Sequence, residues 1–301
     1  MTFLDEREQT AEETVHPELE RGARRKESWR GFFHAAPAYV YLTFFFVLPL
    51  FIVFIFSFGS RSVTGKPLLE NWNLESWAKL LDPLVREIAL RSLGLALLNT
   101  AICLLIGYPF AYWIATRPSP RTRTLLLVAV LIPFWSNFLV RTYAWRMLLS
   151  SDGYITQFGE FTGLWGQLLF TTPAVFLGLF YGYLPFMVLP LYAAIERLDW
   201  SLVEAGRDLY ASGAAAFRRI TLPLSRPGIV AGSILVFIPS LGAYVTPDIL
   251  GGAKTTLLGN YIVTQFGAAR NWPFGSALSG AILIIMLFVT IFYFKSEARN
   301  L

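Results

Sequence analysis

The few ionisable and aromatic residues that could do chemistry in this apolar 301-residue chain suit the binding of a cation. Asp248 follows Pro247 near the end of an apolar stretch, and Tyr244 lies one helical turn before it. A carboxylate attracts positive charge, and an aromatic face holds an ammonium group within ~6 Å for about 0.5 to 2 kcal/mol. If the chain surrounds a solute path, the sequence predicts that Asp248 and Tyr244, with Tyr143 and Trp135, line it and contact a positively charged solute. The alternative role of Asp248 is that of a ligand at a helix end or in a loop.

The sequence offers no set of residues for enzymatic, redox or metal chemistry. Cys103 is the one cysteine, which excludes an internal disulfide and predicts a small packing residue. His16 and His34 are isolated and support no metal or catalytic site. No G-x-x-x-x-G-K-S/T phosphate loop is present, since the nearest string, 59–67, has Pro where Ser or Thr should bind magnesium. The sequence predicts neither an enzyme nor a nucleotide-binding chain, and it indicates no nucleic-acid partner.

The composition indicates that these residues are positioned by helices in a lipid bilayer. Hydrophobic residues make up 55% of the chain and charged residues only 15%, which is not typical of a soluble domain. About 20 apolar residues cross the hydrocarbon layer, and six stretches reach that length: 35–58, 92–114, 125–149, 173–195, 227–250 and 273–294. The predicted fold is an all-α integral membrane protein with six transmembrane helices at 35–294, between a polar tail at 1–34 and a short tail at 295–301.

The distribution of positive charge predicts the orientation of these helices. If the N terminus is inside, most of the 25 Lys and Arg residues fall on the inner side, where positively charged flanks are retained. The second connection, TRPSPRTRT, has three Arg and no acid. We therefore expect both termini to lie in the cytoplasm, and the polar first thirty residues are not predicted to be a signal peptide.

The fourth connection, 196–226, is too polar for lipid and is patterned as two short helices. Ser201 and Glu204 have the spacing of a capping box, which predicts that the first helix begins at Ser201. Its apolar face is expected to be Leu202, Ala205 and Leu209, with Arg207 and Asp208 towards solvent. Ser212 is predicted to cap the second helix, which should end before Pro223. Anchoring at the headgroup boundary and docking in a groove of another protein both fit this pattern.

Polar residues within the predicted spans are few. Arg141 and Arg146 are expected about 25 and 32 Å along the third span, near the outer surface. Their side chains could reach the headgroups or contact a partner protein. Asn99 is predicted to form a hydrogen bond between helices.

The segment EAGRDLYASGAAAFRRITLPLSRPG resembles the loop of permease subunits in bacterial ATP-binding-cassette importers. The family pattern is Glu-Ala-Ala, three residues, Gly, nine residues, then Ile-x-Leu-Pro. The residues that match are Glu204, Ala205, Ile220, Leu222 and Pro223. Gly206 stands for the second Ala, and Tyr210 stands where the pattern has Gly. Because a turn with positive φ disfavours tyrosine, Gly213 is expected to take over the turn.

Two further segments, 133–145 and 251–279, are similar to the spermidine/putrescine branch of these permeases, so the resemblance covers most of 120–290. It implies the type I importer permease fold, paired with a second permease, two ATP-hydrolysing subunits and a soluble solute-binding protein. The loop would then couple the permease to the ATPase through Ser201, Glu204, Ala205, Gly206, Asp208, Gly213, Ile220, Leu222 and Pro223. ATP and magnesium would be used by the partner subunits, and this chain would bind no cofactor.

We therefore expect a permease subunit of the bacterial inner membrane that forms half of the path for a small cationic solute, with a polyamine as the expected class. An importer of the same class for an amino-acid derivative, such as γ-aminobutyrate or an opine, is one alternative. A secondary transporter is another, but such proteins commonly carry inverted repeats and mid-membrane carboxylates, which this sequence lacks.

Overall fold

The computed structural model describes residues 35–62 and 67–297 and is built almost entirely of helices. The predicted N-terminal tail, 1–34, lies outside the described residues. The chain divides into two units between Ile55 and Phe56. The described part of the first unit belongs to α1 (Ala35–Phe56), an apolar helix with a π-helical turn at Thr43–Val47. Its length matches the predicted first span.

The second unit begins with an antiparallel pair of short strands, β1 (Ser60–Arg61) and β2 (Pro67–Leu68), in which Ser60 pairs with Leu68. The helices that follow are α2 (Glu75–Ala78), α3 (Pro83–Ala115), α4 (Pro120–Leu131), α5 (Phe138–Leu149), α6 (Tyr154–Thr162), α7 (Thr172–Glu196), α8 (Trp200–Asp208), α9 (Gly213–Leu224), α10 (Arg226–Leu241), α11 (Leu258–Phe266) and α12 (Trp272–Glu297). Short 3-10 or π turns connect several of them, at Lys79–Leu81, Ile132–Trp135, Pro247–Gly251 and Gly252–Lys254.

Four helices are long and apolar enough to cross a bilayer by themselves: α1, α3, α7 and α12. Two bent pairs raise the number of candidate spans to six if each pair counts as one. The first pair consists of Pro120–Trp135, which is α4 with the 3-10 turn after it, and Phe138–Thr162, which is α5 with α6. The two parts are bent by 86° relative to each other. The second is α9 followed by α10, bent by 64°. The structure therefore has four to six candidate spans.

Two of the six predicted spans, 125–149 and 227–250, are not continuous helices in the structure. The third predicted span stops at Trp135, and α5 restarts at Phe138, where Asn137 caps it by accepting the N–H of Leu139 at 2.8 Å. The fifth stops at Leu241, and a separate π turn follows at Pro247–Gly251. Proline, which has no amide donor, lies near each break, and at the first break the cap by Asn137 starts a new helix.

Helices α3, α7 and α10 pack closely through small and polar residues. The side-chain amide of Asn99 donates to Ser240 Oγ at 2.9 Å, and both residues are buried, which confirms the predicted hydrogen bond between helices. A Cβ on Gly228 would lie only 2.5 Å from the Cβ of Ala194, so glycine allows the backbones of α7 and α10 to approach. Cys103 is buried and free, as predicted.

Helix α3 connects two ends of this unit, because its 33 residues extend over about 50 Å. Its last turns, from Tyr108 to Ala115, pack against the end of α7 and against residues of the 196–226 loop. Its first turns pack against α11 and α12 through Val85 and Ile88. We call these the loop end and the far end of α3.

Candidate functional site

The loop between α7 and α10 begins with a capped helix, α8, whose cap differs from the predicted one. Asp199 is the N-cap, and its carboxylate accepts the N–H of Ser201 at 3.0 Å. Hydrogen bonding to Ser201 lowers the pKa of Asp199 below its usual value. Ser201 therefore lies inside the first turn and does not cap the helix as predicted. The carboxylate just before the helix takes the cap because a negative charge is favoured at a helix N-terminus.

Helix α8 packs on its own chain through Val203 and Gly206. Val203 is buried, and Gly206 faces Ile220 so closely that a Cβ would lie 2.6 Å from Cδ1 of Ile220. The predicted apolar face, Leu202, Ala205 and Leu209, is exposed. Glycine at 206 creates the flat surface on which the second helix rests, and this contact decides which side turns outward. Glu204, Arg207 and Asp208 are exposed, the latter two as predicted.

The chain reverses between the two loop helices at Tyr210, which has a φ of 63°. The expectation that Gly213 takes over the turn is wrong, because Gly213 is the first residue of α9. Ser212 caps this helix by accepting the N–H of Ala215 at 3.3 Å, as predicted. The left-handed conformation costs tyrosine about 1 kcal/mol or more relative to the ordinary one. Tyr210 is 99% exposed, so no packing offsets this strain.

Helix α9 continues through Pro223 and ends at Leu224, although the sequence predicted that it ends before the proline. A π turn at Phe217–Thr221 precedes Pro223, and the N–H of Leu222 donates to the carbonyl of Phe217, five residues back. The wider turn shifts the hydrogen-bond register just before the residue that has no N–H, so the helix tolerates the proline.

Aromatic rings attach this loop to the loop end of α3. The ring of Tyr112 meets Trp200 with 6.1 Å between centroids and Phe217 with 5.9 Å. Phe217 also meets Tyr108 at 5.6 Å, and all three contacts are edge-on. The hydroxyl groups of Tyr108 and Ser225 share a hydrogen bond of 2.7 Å. The sequence analysis missed these residues, and the signal that could have revealed them is the i, i+4 spacing of Tyr108 and Tyr112 at the end of a span.

A polar cluster holds the beginning of the loop. Glu196 accepts a hydrogen bond from the Tyr192 hydroxyl and lies 3.8 Å from Arg123 Nη1. Arg123 Nε also donates to the carbonyl of Arg117 at 2.6 Å. Through its ion pair with Glu196, Arg123 therefore joins the second connection to the end of α7. Because both charged side chains are partly exposed, the ion pair contributes less than about 1 kcal/mol.

The predicted path residues lie in three places. Asp248 and Tyr244 are together, since the N–H of Asp248 donates to the carbonyl of Tyr244 at 3.0 Å, and both are exposed. Tyr143 lies on α5 and lines an open groove of about 860 Å³. Trp135, 84% exposed, lies at the break before α5, and neither Trp135 nor Asp248 lines that groove. Within residues 35–62 and 67–297, no cluster of His, Cys, Asp and Glu could hold a metal ion.

Arg141 occupies an unusual position for a charged residue. Its guanidinium lies 4.6 Å from the ring centre of Phe134, and its Nε and Nη1 atoms are buried with no hydrogen-bond partner among the described residues. The distance of about 25 Å expected for Arg141 was counted along a straight helix, and the 86° bend before α5 excludes that count. Its contact with headgroups or with a partner protein stays a prediction. Arg146 is exposed, lies 6.0 Å from the ring of Phe170 and lines the groove with Tyr143.

Comparisons with known proteins agree with this architecture. The family model described as "Binding-protein-dependent transport system inner membrane component" matches residues 107–298. The spermidine/putrescine transport system permease protein PotB of Salmonella typhimurium (strain SL1344) is 42% identical over 260 residues, which cover 85% of this chain and 90% of that protein. The protein of the same name from Escherichia coli (strain K12) is also 42% identical over 260 residues, with 85% and 94% covered.

A solved structure supports the fold. A bacterial ATP-binding-cassette transporter involved in the import of the acidic polysaccharide alginate aligns with a TM-score of 0.69 and 16% identity, covering 93% of this chain and 99% of that chain. At this identity the likeness concerns the arrangement of helices alone. The family match and the 42% identity of the relatives carry the assignment. The chain belongs to the family of binding-protein-dependent transport system inner membrane components.

Proposed function

We propose that this chain forms half of the translocation path of an ATP-driven importer and carries a small cationic solute, with spermidine and putrescine as the preferred class. Support for the polyamine comes from the two relatives, whose names specify spermidine and putrescine. Support for ATP-driven import comes from the family and from the loop at 196–226. The observation that carries the proposal is that this loop folds into two capped helices with an apolar face that its own chain leaves uncovered.

In this proposal the loop docks on an ATP-hydrolysing subunit in the cytoplasm. Leu202 and Leu209 are 47% and 82% exposed, and Tyr210 lies at the tip between the helices. An exposed amphipathic helix fits a groove on another protein through residues of this kind. Glu204 and Asp208 add charge to the same exposed helix, whereas Gly206, Ile220 and Pro223 belong to the packing that gives the loop its shape.

The proposal also covers the membrane topology of the chain and its partner proteins. The domain at 35–294 has six spans in this proposal: α4 and α5, with the bend between them, form the third, and α10 with the segment after it forms the fifth. Helix α9, the rest of the loop and both termini lie in the cytoplasm, where most Lys and Arg residues would lie. The partners are a second permease, two ATPase subunits that use ATP and magnesium, and a solute-binding protein on the other side. This chain supplies no nucleotide site.

The solute path is proposed to pass Asp248 and Tyr244. These residues lie on the irregular segment after α10, and backbone of this kind is tolerated at membrane depth where it lines a cavity or lies inside protein. Tyr143 and Trp135 would contribute aromatic faces on the neighbouring broken helix. The positive charge of Arg146 disfavours a cation in the groove beside Tyr143, so the path would run on the Asp248 side.

Uptake by proteoliposomes tests the proposal. The complete importer is reconstituted with its binding protein and ATP, and labelled putrescine, spermidine, γ-aminobutyrate and an opine are compared. We expect uptake of the polyamines that requires ATP. Transport of an anion alone would contradict the cationic substrate, and transport by the purified chain without an ATPase would contradict the importer.

A further inference from the structure

The loop at 196–226 is covalently joined to α7 and α10, but its rings pack on a third helix, α3. Trp200 comes from the first loop helix and Phe217 from the second, and both meet Tyr112 of α3. Tyr108, one turn earlier, meets Phe217. We call these four rings the aromatic junction: Tyr108, Tyr112, Trp200 and Phe217. Each helix of the loop therefore has its own ring contact with the loop end of α3.

The two loop helices form one unit, so a push on either one reaches the junction. Gly206 of α8 rests against Ile220 of α9, and Val203 is buried beside this contact. At the far side of α9, Ser225 is completely buried and shares its hydrogen bond with Tyr108. Closely packed contacts of this kind have little free volume, and they transmit a displacement instead of absorbing it.

Helix α3 can carry such a displacement away from the loop. Pro109 lies inside the helix between the two junction tyrosines, at a place where the missing amide hydrogen bond favours a bend. Further along, Asn99 bonds to Ser240 of α10. At the far end, Ser92 Oγ accepts the N–H of Leu258 at 2.8 Å, at the start of α11. Movement of the loop end of α3 would thus reach α10 near its last turn and α11, which is not joined to the loop.

We infer that the aromatic junction is the element through which movement of the loop displaces α3, so that Tyr112, Trp200 and Phe217 are positioning residues for transport. The inference rests on the proposed docking of the loop on an ATP-hydrolysing subunit. It assigns a separate task to each side of the loop. The exposed face with Leu209 binds the partner, and the ring face moves the permease.

The test separates these two tasks in the complete importer, reconstituted with its partner subunits and binding protein. Trp200→Leu and Tyr112→Leu keep an apolar side chain at the junction but remove the edge-on ring contacts. We expect both variants to copurify with the ATPase subunit and to retain ATP hydrolysis stimulated by the loaded binding protein. The amount of solute transported per ATP should fall at least about fivefold, the lower range of coupling effects between sites. Trp200→Phe should restore most of it.

Trp113→Leu is the matched control. Trp113 is next to Tyr112 on α3, but its ring stacks on Phe110 at 6.0 Å and lies 4.0 Å from the guanidinium of Arg117. This variant should transport as the wild type does. Unchanged transport per ATP in Trp200→Leu and Tyr112→Leu would overturn the inference, as would an equal loss of transport and hydrolysis, or the same loss in Trp113→Leu.

A cross-link covers the case in which the leucine variants do not assemble. Cysteines replace Tyr112 and Trp200 and are joined by a short bifunctional reagent, while the native Cys103 is buried and protected from it. The covalent link should raise transport per ATP above that of the same variant without the link. No increase would overturn the inference. The proposed docking is tested separately by Leu209→Glu, because a variant that still retains the ATPase subunit and its stimulation would contradict docking while leaving the ring contacts intact.

Discussion

The loop at 196–226 and the region of broken helices at 132–149 and 242–254 organise their backbones in opposite ways. In the loop, Asp199 and Ser212 cap both helices, and the aromatic junction fixes their position on α3. In the broken-helix region, two spans are interrupted, Gly252 has a φ of 54°, and Arg141 has buried donors without a partner among the described residues. Both helices of the loop are therefore capped and packed against α3, whereas the broken-helix region has the buried donor atoms of Arg141 without a hydrogen-bond partner among the described residues.

This difference indicates a division of labour. A capped helical pair with an uncovered apolar face is suited to binding a partner without changing its own shape. Interrupted helices inside a membrane expose carbonyl groups and are suited to lining a cavity or a solute path. We therefore expect substitutions in the loop to affect coupling and substitutions in the broken-helix region to affect the solute.

The largest effect is expected for Glu204→Lys in the loop, which should lower the stimulated ATP hydrolysis. Glu204 is exposed on α8, so charge reversal should leave expression and folding intact while disturbing the docked interface. Residues at the centre of an interface commonly contribute 2 kcal/mol or more, so hydrolysis stimulated by the loaded binding protein should fall at least about thirtyfold. Glu160→Lys, an exposed acid on α6, is the control and should hydrolyse ATP normally. Unchanged coupling in Glu204→Lys would remove the loop from the docking surface.

The second prediction concerns the other region, where Asp248→Asn should lower uptake and spare coupling. The amide has the same shape as the carboxylate but cannot attract a cation, and loss of a charged hydrogen bond corresponds to about a tenfold change. Uptake of labelled putrescine at low concentration should therefore fall about tenfold, while ATP hydrolysis in the assembled importer remains. Glu160→Gln serves as the control. If Asp248→Asn takes up polyamine as the wild type does, Asp248 has only a structural role.

The elements that local sequence determines were predicted best. Apolar windows of about 20 residues identified the region of each span, because length and composition alone decide whether a helix can cross a bilayer. Ser212 was predicted as a cap and Asn99 as a bond between helices, and both predictions are confirmed. Each of these signals lies within a few residues of the feature or follows from the cost of a buried amide.

The features that depend on contacts between distant segments were not predictable in this way. The break after Trp135 follows Pro133 and includes Ser136 and Asn137, but three such residues lower the mean hydropathy of a window of about 20 residues too little to divide the span. The outward face of α8 is decided by the contact of Gly206 with Ile220, which belongs to the next helix. The Ser201–Glu204 spacing predicted a cap at Ser201, whereas the structure has Asp199 as the N-cap. The roles of Asp248, Tyr244, Tyr143 and Trp135 stay predictions.

The third prediction tests whether the Asp199 cap stabilises α8. Asp199→Ala removes the acceptor for the Ser201 N–H and should lower the hydrogen-exchange protection of α8 amides about fivefold, a factor typical of an N-cap. Asp199→Asn can still cap the helix and should retain most of the protection. Equal protection in wild type and Asp199→Ala would show that tertiary contacts alone hold α8.

The pH dependence of the same cap follows from the direction of its pKa. Hydrogen bonding lowers the folded-state pKa of Asp199 below the ordinary value, so the carboxylate stabilises the folded loop fully above the unfolded-state pKa of ~3.9. This stabilisation is lost only as pH falls through the lowered folded-state pKa. The hydrogen-exchange protection of α8 should therefore not change between neutral and mildly acid pH. A loss of protection at a pH well above ~3.9 would contradict Asp199 as the responsible group.

The smallest expected effect concerns Tyr210, the one strained position of an otherwise satisfied loop. Tyr210→Gly relieves the left-handed strain, worth about 1 to 2 kcal/mol, but loses about 0.5 to 1 kcal/mol to backbone entropy, so the net stabilisation should be about 1 kcal/mol or less. Tyr210→Ala keeps the strain and removes the ring, so it should not stabilise the loop. Hydrogen exchange of α8 and α9 measures the stability, and ATPase binding measures the docking. If both variants weaken docking equally, the exposed ring contacts the partner. If Tyr210→Gly binds the ATPase subunit at least as well as the wild type, neither the ring nor the left-handed backbone of Tyr210 is needed for docking.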